Sequence, residues 1–349
     1  MALRFHNGVC IMDFKAFDLV RQMAASHYLV RSLHVVAELG IADGIGEDAT
    51  PIADIARRSG SNVDAISRAL RLLSSRGIFE VSASTIRHTA ASRFLRSDDP
   101  ASLRPLVRMF GQTVQWQTAG NLKHSIITGD PAITQDDGGL WGYFARNPAD
   151  ARVFDAAMAA KASVQISDLL ASHDFSQYRR VVDVGGGQGH FLRAVIERHQ
   201  QVIGVLFDLP SVIAGAPQGN ERLELVGGDF FEADLPAGDA VVMMEVLHDW
   251  NDEDCDKILQ GARRAMAPES RLIIVEIELH TGNDPEWPKL LDIVMLGVFA
   301  ARQRTNDEYR AMLTRNGFAV TSQISTPGEL TVVTAQLTEA DLGNHLDAR

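Results

Sequence analysis

The chain has 349 residues, of which 46% are hydrophobic and 22% charged. This is the composition of a folded protein, and the length suggests two domains. The 45 acidic residues exceed the 33 basic residues and give a net charge of -12. Such a charge repels the phosphate backbone of a nucleic acid. We therefore expect no nucleic-acid partner.

The spacing of the cysteines and the length of the apolar runs indicate the cellular compartment. Cys10 and Cys255 are far apart and in no metal-ligand spacing, so neither a disulfide framework nor a metal site is predicted. Residues 1–12 contain no apolar run long enough for a secretory signal. The most apolar helical stretch, 290–301, contains Asp292 and is shorter than the roughly 20 residues of a membrane span. We expect a soluble, cytoplasmic protein without a metal.

Helical patterns fill the first part of the chain. Apolar residues recur at helical spacing over residues 14–39 and predict one or two amphipathic helices. A short helix that opens at Thr50-Pro51 follows. Ser61 or Asn62 is the expected N-cap of the next helix, and residues 78–81 are typical of a strand. The order of these elements is that of a helix-turn-helix with a wing.

This winged-helix pattern has two interpretations. It is either a DNA-reading module, supported only by arginines such as Arg57 and Arg71, or a packing and dimerisation module of the same shape. The pattern favours the second interpretation, because Leu70 and Leu73 are core-type residues and the chain is acidic. We assign this mainly α-helical domain to residues 1–105.

The second predicted domain, residues 106–349, begins with a helical bridge. Residues 100–160 are helical by pattern, except that 128–139 are rich in Gly, Pro and Asp and are expected to form a loop. From about residue 178, apolar runs alternate with amphipathic helices. This alternation predicts an α/β domain in which a parallel sheet is covered by helices on both faces.

A glycine-rich turn directly follows the first buried strand of this domain. The strand is VVDV at 181–184, and the turn runs from Gly185 to Gly189. Glycines allow the backbone to approach a ligand closely. A second apolar strand ends at Asp208, 21 residues after Gly187, which is close to the offset of about 20 residues at which a carboxylate meets ribose hydroxyls. The pattern predicts a nucleoside-containing ligand.

Two nucleoside ligands are compatible with the turn, a dinucleotide and an adenosine derivative. The turn departs from G-x-G-x-x-G, and a second acidic turn, Asp229-Phe230, follows the third strand. A carboxylate can accept a hydrogen bond from an exocyclic amine while the adjacent aromatic ring covers a purine. These features favour adenosine, and an ordinary turn or N-cap role is the alternative for Asp229.

Five segments in a fixed order carry a resemblance to a known family. They are VVDVGGGQG (181–189), FDLP (207–210), GGDFF (227–231), HDW (248–250) and RQRTNDEYRAMLTRNGF (302–318). Together they resemble the S-adenosylmethionine-dependent O-methyltransferases of the plant caffeate and bacterial antibiotic-tailoring type. The winged-helix segment also resembles that family's dimerisation domain. The resemblance implies a Rossmann-like class I methyltransferase domain behind a dimerisation domain, and a homodimer.

The resemblance assigns glycines, carboxylates and apolar residues to the methyl donor, S-adenosyl-L-methionine. They are Gly185, Gly187, Asp208, Leu209, Asp229, Phe230, Met244 and Trp250. The glycines would hold the methionine part of the donor, Asp208 would bind the ribose hydroxyls, and Asp229 with Phe230 would bind the adenine. The family often has a lysine where this chain has Met244, so that here an apolar side chain would cover the adenine ring.

His248 is the candidate general base. Methyl transfer from a sulfonium is an in-line displacement, and positioning supplies much of its rate. A phenolic hydroxyl with a pKa near 10 is largely protonated at neutral pH, so a histidine base would add about 10²- to 10⁴-fold. His248 follows the apolar run 240–247, where a parallel sheet opens toward ligands. A base and a polar residue that closes the strand both fit this pattern, and the resemblance implies the base.

Two acidic residues flank the histidine in the similar enzymes. Glu276, near the end of the strand 272–275, matches one of them, and Gln303 stands where the family usually has glutamate. An amide carries no charge and would stabilise a protonated imidazole less. Asp249 belongs either to this catalytic group or, as the sequence favours, to the cap of the helix that begins near Asn251.

The resemblance also points to apolar walls for an acceptor pocket. They are Trp141, Phe154, Met158, Met295 and Phe299, with Gln303 as a polar neighbour. Such walls suit a planar aromatic acceptor, and ordinary core packing is the alternative. We expect methylation of an aromatic hydroxyl in secondary-metabolite or antibiotic biosynthesis, on a phenazine, polyketide or quinone for example.

Other functions stay open at this point. The same fold can methylate nitrogen or use the bound donor for a reaction other than methylation. A metabolite-responsive DNA-binding regulator and a nicotinamide-dependent oxidoreductase are alternatives of a different class. Salt-dependent binding to duplex DNA would indicate the regulator. Protection against heat by NAD rather than by S-adenosylmethionine would indicate the oxidoreductase.

Overall fold

The structure is a computed structural model that describes residues 4–6, 9–11, 13–133, 138–284 and 286–338, with only the backbone described for 4–6 and 9–11. Residues 1–3, 7, 8 and 12, in the segment considered for a secretory signal, and residues 134–137, in the middle of the predicted loop, therefore lie outside the described residues. Within the described residues, no helix is both long and apolar enough to cross a membrane.

The first compact unit comprises Met1–Gln115 and Ala149–Ala160. Its described helices are α1 (Phe14–Ala24), α2 (Ser26–Glu38), α3 (Ile52–Ser59), α4 (Val63–Ser74), α5 (Ala90–Arg93) and α6 (Arg104–Phe110). Its described strands are β1 (Arg4–His6), β2 (Val9–Ile11), β3 (Thr50–Pro51), β4 (Phe79–Ser82) and β5 (Thr85–His88). The helix that was expected to open at Thr50-Pro51 begins at Ile52, because the two preceding residues pair with β5 as a strand.

The helix-turn-helix of this unit follows local sequence signals. Gly60 ends α3 with a φ of +67°, and the Asn62 side chain caps α4 by accepting the Ala65 N–H. Leu70 and Leu73 are 0% and 1% exposed, as the structural interpretation of this segment requires. The antiparallel β3, β5 and β4 form the small sheet at the position of the wing.

Exposed apolar side chains distinguish α1. Phe14, Phe17, Val20 and Met23 are between 52% and 74% exposed. Each follows the previous one by three residues, so neighbouring members lie side by side, whereas Phe14 and Met23 lie on opposite sides of the helix. Within the described part of the chain, no side chain of α1 is buried.

The second compact unit comprises Trp116–Pro148 and Lys161–Arg349. Helix α7 (Thr113–Gly120) and helix α10 (Pro148–Ser172) each run from one unit into the other. The other described helices of this unit are α8 (Leu122–Thr128), α9 (Gly139–Arg146), α11 (His190–Arg198), α12 (Pro210–Ile213), α13 (Asp252–Ala265), α14 (Trp287–Phe299) and α15 (Asn306–Arg315).

Seven strands of the described chain form one sheet in the second unit. They are β6 (Arg180–Val184), β7 (Ile203–Asp208), β8 (Leu223–Gly227), β9 (Ala240–Met244), β10 (Arg271–Ile277), β11 (Phe318–Ser325) and β12 (Leu330–Leu337), in the order β11-β12-β10-β9-β6-β7-β8. The pairs from β10 to β8 are parallel, which confirms the predicted sheet. The antiparallel pairing of β11 and β12 at the edge was not predicted.

The strand order reverses between β6 and β9. Val181 pairs with Gly204 of β7 on one side and with Ala240 of β9 on the other. Neighbouring side chains of β6 point to opposite faces, since Val181 belongs to a buried cluster that includes α11 and α14, and Val182 to one that includes α13 and α15. In sheets of this kind, ligands bind beyond the carboxyl ends of the strands at such a reversal.

Candidate active site

The glycine-rich turn joins β6 to α11 at this edge of the sheet. Gly185, Gly187 and Gly189 have φ values of +74°, +58° and +75°, which L side chains rarely adopt. At Gly186 the limit is space, because an added Cβ would lie 2.2 Å from Asp183 Oδ2. At Gly187 an added Cβ would meet no described atom within 4 Å. The turn therefore presents backbone to open space.

Two carboxylates lie behind this turn. Asp208 accepts the backbone N–H of Gly187 at 2.8 Å and that of Leu209 at 2.7 Å, so the predicted spacing corresponds to a direct contact. Asp183 is 1% exposed, and its Oδ2 has no hydrogen-bond partner among the described residues. Burial and the neighbouring Asp208 raise the pKa of Asp183 to about 7. A buried acceptor is thus left for a ligand.

The second acidic turn lies beside an aromatic cluster. Asp229 accepts the Phe231 N–H at 2.9 Å, which is the turn role considered as its alternative. The Trp250 ring stands edge-on to Phe230 and Phe231, at centroid distances of 5.6 and 4.8 Å. Met244 is half-buried at the end of β9. The second acidic turn therefore combines the carboxylate of Asp229 with an adjacent aromatic surface.

These features fit S-adenosylmethionine. No described atom lies within 4 Å of a Cβ placed on Gly187, a buried carboxyl oxygen of Asp183 lacks a described partner, and the Asp229 carboxylate is next in sequence to an aromatic cluster. A nucleoside that carries an amino acid has complementary groups for each of them. Within the described residues, no group of three or more His, Cys, Asp or Glu side chains is arranged to hold a metal ion.

His248 lies on a 3₁₀ turn just after β9 and is 7% exposed. Its Nδ1 lies 2.7 Å from Glu276 Oε2, and because a carboxylate only accepts, Nδ1 carries the proton. The other oxygen of Glu276 accepts the N–H groups of Val246 and Leu247 at 3.1 and 2.8 Å. One carboxylate therefore orients both the ring and its turn, and Nε2 is left as the proton acceptor.

The charges around His248 favour its protonated form. Burial by itself lowers the pKa of His248, but the charges of Asp249 and Glu276 outweigh it and raise the pKa to about 9. At neutral pH the ring is therefore an imidazolium before ligands bind. It must lose this proton before Nε2 can accept one from an acceptor hydroxyl.

Asp249 does not cap α13. The Asn251 side chain accepts the Asp254 N–H at 3.0 Å and is the N-cap of that helix. The capping interpretation that the sequence favoured for Asp249 is therefore wrong, because the chain needs two more residues to enter the helix. Asp249 Oδ1 instead lies 3.4 Å from His248 Nε2.

Gln303 is completely buried, at 0% exposure. Neither its Oε1 nor its Nε2 has a hydrogen-bond partner among the described residues. Its backbone N–H is fixed by Asp292 Oδ1 at 2.8 Å. A buried amide normally finds partners, so this side chain is available for a polar group of a ligand.

The predicted walls of the acceptor pocket are partly brought together. The ring centroids of Trp141 and Phe299 lie 6.1 Å apart. Met295 belongs to the buried cluster on the face of the sheet that is covered by α11 and α14. Phe154 and Met158 are half-buried on α10 but belong to the first compact unit. Contact of these residues with an acceptor stays a prediction.

Arg304 is a residue of the site that sequence reasoning missed. It is 1% exposed, and its guanidinium donates to the carbonyl oxygens of Leu247 and Trp250, both at 2.8 Å, and to Asp252. It thereby holds both ends of the turn that carries His248. Arg304 lies in the segment 302–318 that carries part of the family resemblance. Its contacts join residues more than fifty positions apart, and no local sequence pattern indicates such contacts.

Lys161 and Glu245 were also missed. Lys161 Nζ donates to Glu245 Oε1 at 2.5 Å, and the two side chains are 18% and 15% exposed. Glu245 follows β9 and has a φ of +54°. This positive φ ends the strand at Met244, three residues before the end of the predicted apolar run 240–247. The positive φ of a non-glycine residue cannot be read from sequence, and Lys161 lies in an ordinary helical pattern.

The chain matches two family models. An O-methyltransferase dimerisation domain matches residues 21–98, and an O-methyltransferase domain matches residues 123–319. The two matches follow the order of the winged-helix segment and the sheet domain. Together they cover most of the chain.

Individual relatives cover nearly the full length. The chain is 34% identical to a phenazine O-methyltransferase of Lysobacter antibioticus, over 91% of this chain and 96% of the relative. It is also 34% identical to the 8-amino-8-demethylriboflavin N,N-dimethyltransferase of Streptomyces davaonensis, over 82% of this chain and 86% of the relative. The crystal structure of a methyltransferase of calicheamicin biosynthesis, with S-adenosylhomocysteine bound, is similar with a TM-score of 0.85 at 27% identity, covering 94% of this chain and all of that one. The chain therefore belongs to the S-adenosylmethionine-dependent O-methyltransferase family.

Proposed function

We propose that this enzyme methylates a hydroxyl group of an aromatic small molecule, with His248 as general base. The observation that carries this proposal is the commitment of His248 Nδ1 to Glu276 at 2.7 Å. Nε2, which lies 3.4 Å from Asp249 Oδ1, is then the nitrogen that accepts a proton once the ring is neutral. The glycine turn is adjacent, since a Cβ added at Gly185 would lie 2.9 Å from Val246 Cγ2. Base and donor turn thus share one edge of the sheet.

The residues of this edge suffice for the chemistry. Bound S-adenosylmethionine supplies a methyl group on a sulfonium, which is a good leaving group. As the acceptor oxygen gains the methyl group, its proton moves to His248 Nε2. Glu276 keeps the imidazole oriented and stabilises the imidazolium that forms. Gly185, Gly187, Asp208, Asp229 and Phe230 hold the donor in this proposal.

An aromatic acceptor is supported by the side chains near α14. The Trp141 and Phe299 rings lie 6.1 Å apart and offer surfaces for a planar ring. The buried Gln303 amide offers two hydrogen-bonding atoms to a polar substituent. One relative is named for a phenazine and another for an aminated riboflavin. A polycyclic, oxygenated arene of secondary metabolism therefore fits best.

Methylation of an aromatic amine is the second candidate. It is favoured by one observation, the N,N-dimethyltransferase at 34% identity. An aromatic amine is a nucleophile without losing a proton first, so it depends less on a base. A requirement for His248 would therefore favour the hydroxyl acceptor.

We also propose a homodimer that forms through the N-terminal unit. The exposed apolar side chains of α1, among them Phe17 and Val20, support it, together with the match to a dimerisation domain. Light scattering should give the mass of two chains. A Phe17→Asp, Val20→Asp double variant should give that of one, and a wild-type monomer at micromolar concentration would contradict the proposal.

The test of the proposed reaction is product analysis. The purified enzyme is incubated with S-adenosylmethionine and matched pairs of polycyclic arenes that carry either a hydroxyl or an amino group. We expect S-adenosylhomocysteine and an O-methyl product in equal amounts from hydroxylated arenes. Product from the amines alone would establish the second candidate, and failure of the donor to bind would overturn both.

A further inference from the structure

Glu245 stands out among the charged residues at the carboxyl edge of the sheet. Its φ of +54° lies in the left-handed region, which is unfavourable for a residue with a long side chain and persists only where the surroundings hold it. Its backbone N–H donates to Val275 O at 2.8 Å, so the strained residue is tied to β10. Such strain tends to occur at functional sites.

Lys161 holds the Glu245 carboxylate in its ionised form. Its Nζ donates to Glu245 Oε1 at 2.5 Å. Burial raises the pKa of Glu245, but the charges of Lys161 and His248 outweigh it and lower that pKa. The carboxylate therefore stays charged although burial opposes its charged form.

Charged groups face His248 from each element around it. Glu276 Oε2 of β10 lies 2.7 Å from His248 Nδ1, and Asp249 Oδ1 of the same turn lies 3.4 Å from Nε2. Glu245, three residues before His248, donates its backbone N–H to Val275, the neighbour of Glu276 in β10. The charges of all three carboxylates oppose the effect of burial and raise the pKa of His248.

Lys161, on α10, acts on Glu245, Glu329 and Asp249, and Gln165 of the same helix donates to Glu329 Oε1 at 3.1 Å. The buried Gln303 carries no charge. The negative charge at His248 therefore comes from three carboxylates, of which Glu245 is the one without a predicted role.

We propose that Glu245 is a positioning residue of the methyl transfer. Anchored by Lys161, its carboxylate favours the protonated imidazole of His248 and so makes His248 a stronger proton acceptor. The inference rests on the proposed role of His248 as base. Its consequence is that the ion pair sets the pH at which His248 becomes able to accept a proton.

Titration of His248 without donor or acceptor tests this inference. The matched variants are Glu245→Asp and Glu245→Asn, which have nearly the same size and both tolerate positive φ but differ in charge. The imidazole Cε1 resonance of His248, assigned by its loss in His248→Asn, is followed by NMR against pH. We expect the midpoint to fall by about one pH unit in Glu245→Asn, the order of magnitude of a nearby charge at an effective dielectric constant of about 20.

Two control variants show whether a change in the midpoint is due to the charge of Glu245. One retains the charge, and the other removes a distant charge. In Glu245→Asp the midpoint should fall by much less than in Glu245→Asn. Lys257→Met removes an exposed charge whose partners are Glu253 and Asp254, and it should leave the midpoint unchanged. Equal midpoints in the Asp and Asn variants would overturn the inference. If either variant fails to fold, Glu245→Gln replaces the Asn variant and is compared with wild type, and an unchanged midpoint overturns the inference in the same way.

The pH profile of turnover separates electrostatics from structural damage. At saturating donor, the acidic limb of the profile should move to lower pH in Glu245→Asn, while the plateau at high pH falls because the base is weaker. A merely structural defect would lower the rate at every pH without moving the limb, which would contradict the inference. If His248→Ala retains normal turnover, the proposed base is wrong and the positioning role of Glu245 fails with it, whereas an unchanged NMR midpoint in Glu245→Asn overturns the role of Glu245 alone.

Discussion

The two sides of the site are built from different physical means. On the donor side, left-handed glycines and backbone N–H groups around Asp208 shape the turn. On the base side, the buried charges of Glu276 and Arg304 hold one histidine and its turn. The backbone conformation of the glycine turn does not depend on pH, whereas the protonation of buried charged groups does. We therefore expect donor binding and proton transfer to respond to different perturbations.

Glu276→Gln should have the largest effect on the base side. Glu276 Oε1 accepts two backbone N–H groups, so an amide oxygen would stay there and the amide N–H would face His248 Nδ1. That forces the imidazole proton onto Nε2, the atom that has to accept one. We expect turnover to fall by about 10²- to 10⁴-fold with donor affinity unchanged by calorimetry. A loss of only a few fold would contradict the assigned tautomer.

The pH dependence of turnover should be nearly as large. The folded pKa of His248, about 9, lies above its ordinary value, so the neutral base becomes more abundant as pH rises toward 9. With an acceptor whose hydroxyl titrates above this range, we expect turnover to rise by about tenfold or more from pH 7 to pH 9. A flat profile would contradict the assignment.

The same shift predicts a loss of stability with rising pH. Protonation of His248 stabilises the fold fully below its unfolded pKa of 6.5, and this contribution disappears as pH rises through about 9. Thermal unfolding of wild type and of His248→Asn should therefore converge between these values. An unchanged difference in Tm would show that the folded pKa is not raised.

The smallest effect is expected on the donor side, from Gly187→Ala compared with Gly219→Ala. Both glycines have positive φ, +58° and +95°, and a Cβ at either meets no described atom within 4 Å. Each variant should lose about 1 kcal/mol of stability through backbone strain. Only Gly187→Ala should also weaken donor binding, by about tenfold. Equal donor affinities in the two variants would remove the turn from the donor site.

The difference between the two sides also explains what could be predicted from sequence. The fold class and the parallel strands follow from local patterns along the chain. The ion pair of Lys161 and Glu245 joins residues 84 positions apart, and no period or motif encodes such a pairing. The antiparallel edge formed by β11 and β12 was missed, because its strands carry no recognised motif.

The most direct test combines donor binding and turnover in one variant, His248→Ala. S-adenosylmethionine and S-adenosylhomocysteine are titrated into the variant and into wild type by calorimetry, and the single-turnover rate with a hydroxylated arene is then measured. Our account predicts unchanged donor affinity and a rate lower by about 10²- to 10⁴-fold. A near-normal rate would contradict the assignment of His248 as base, and a loss of donor binding would contradict the separation of the two sides.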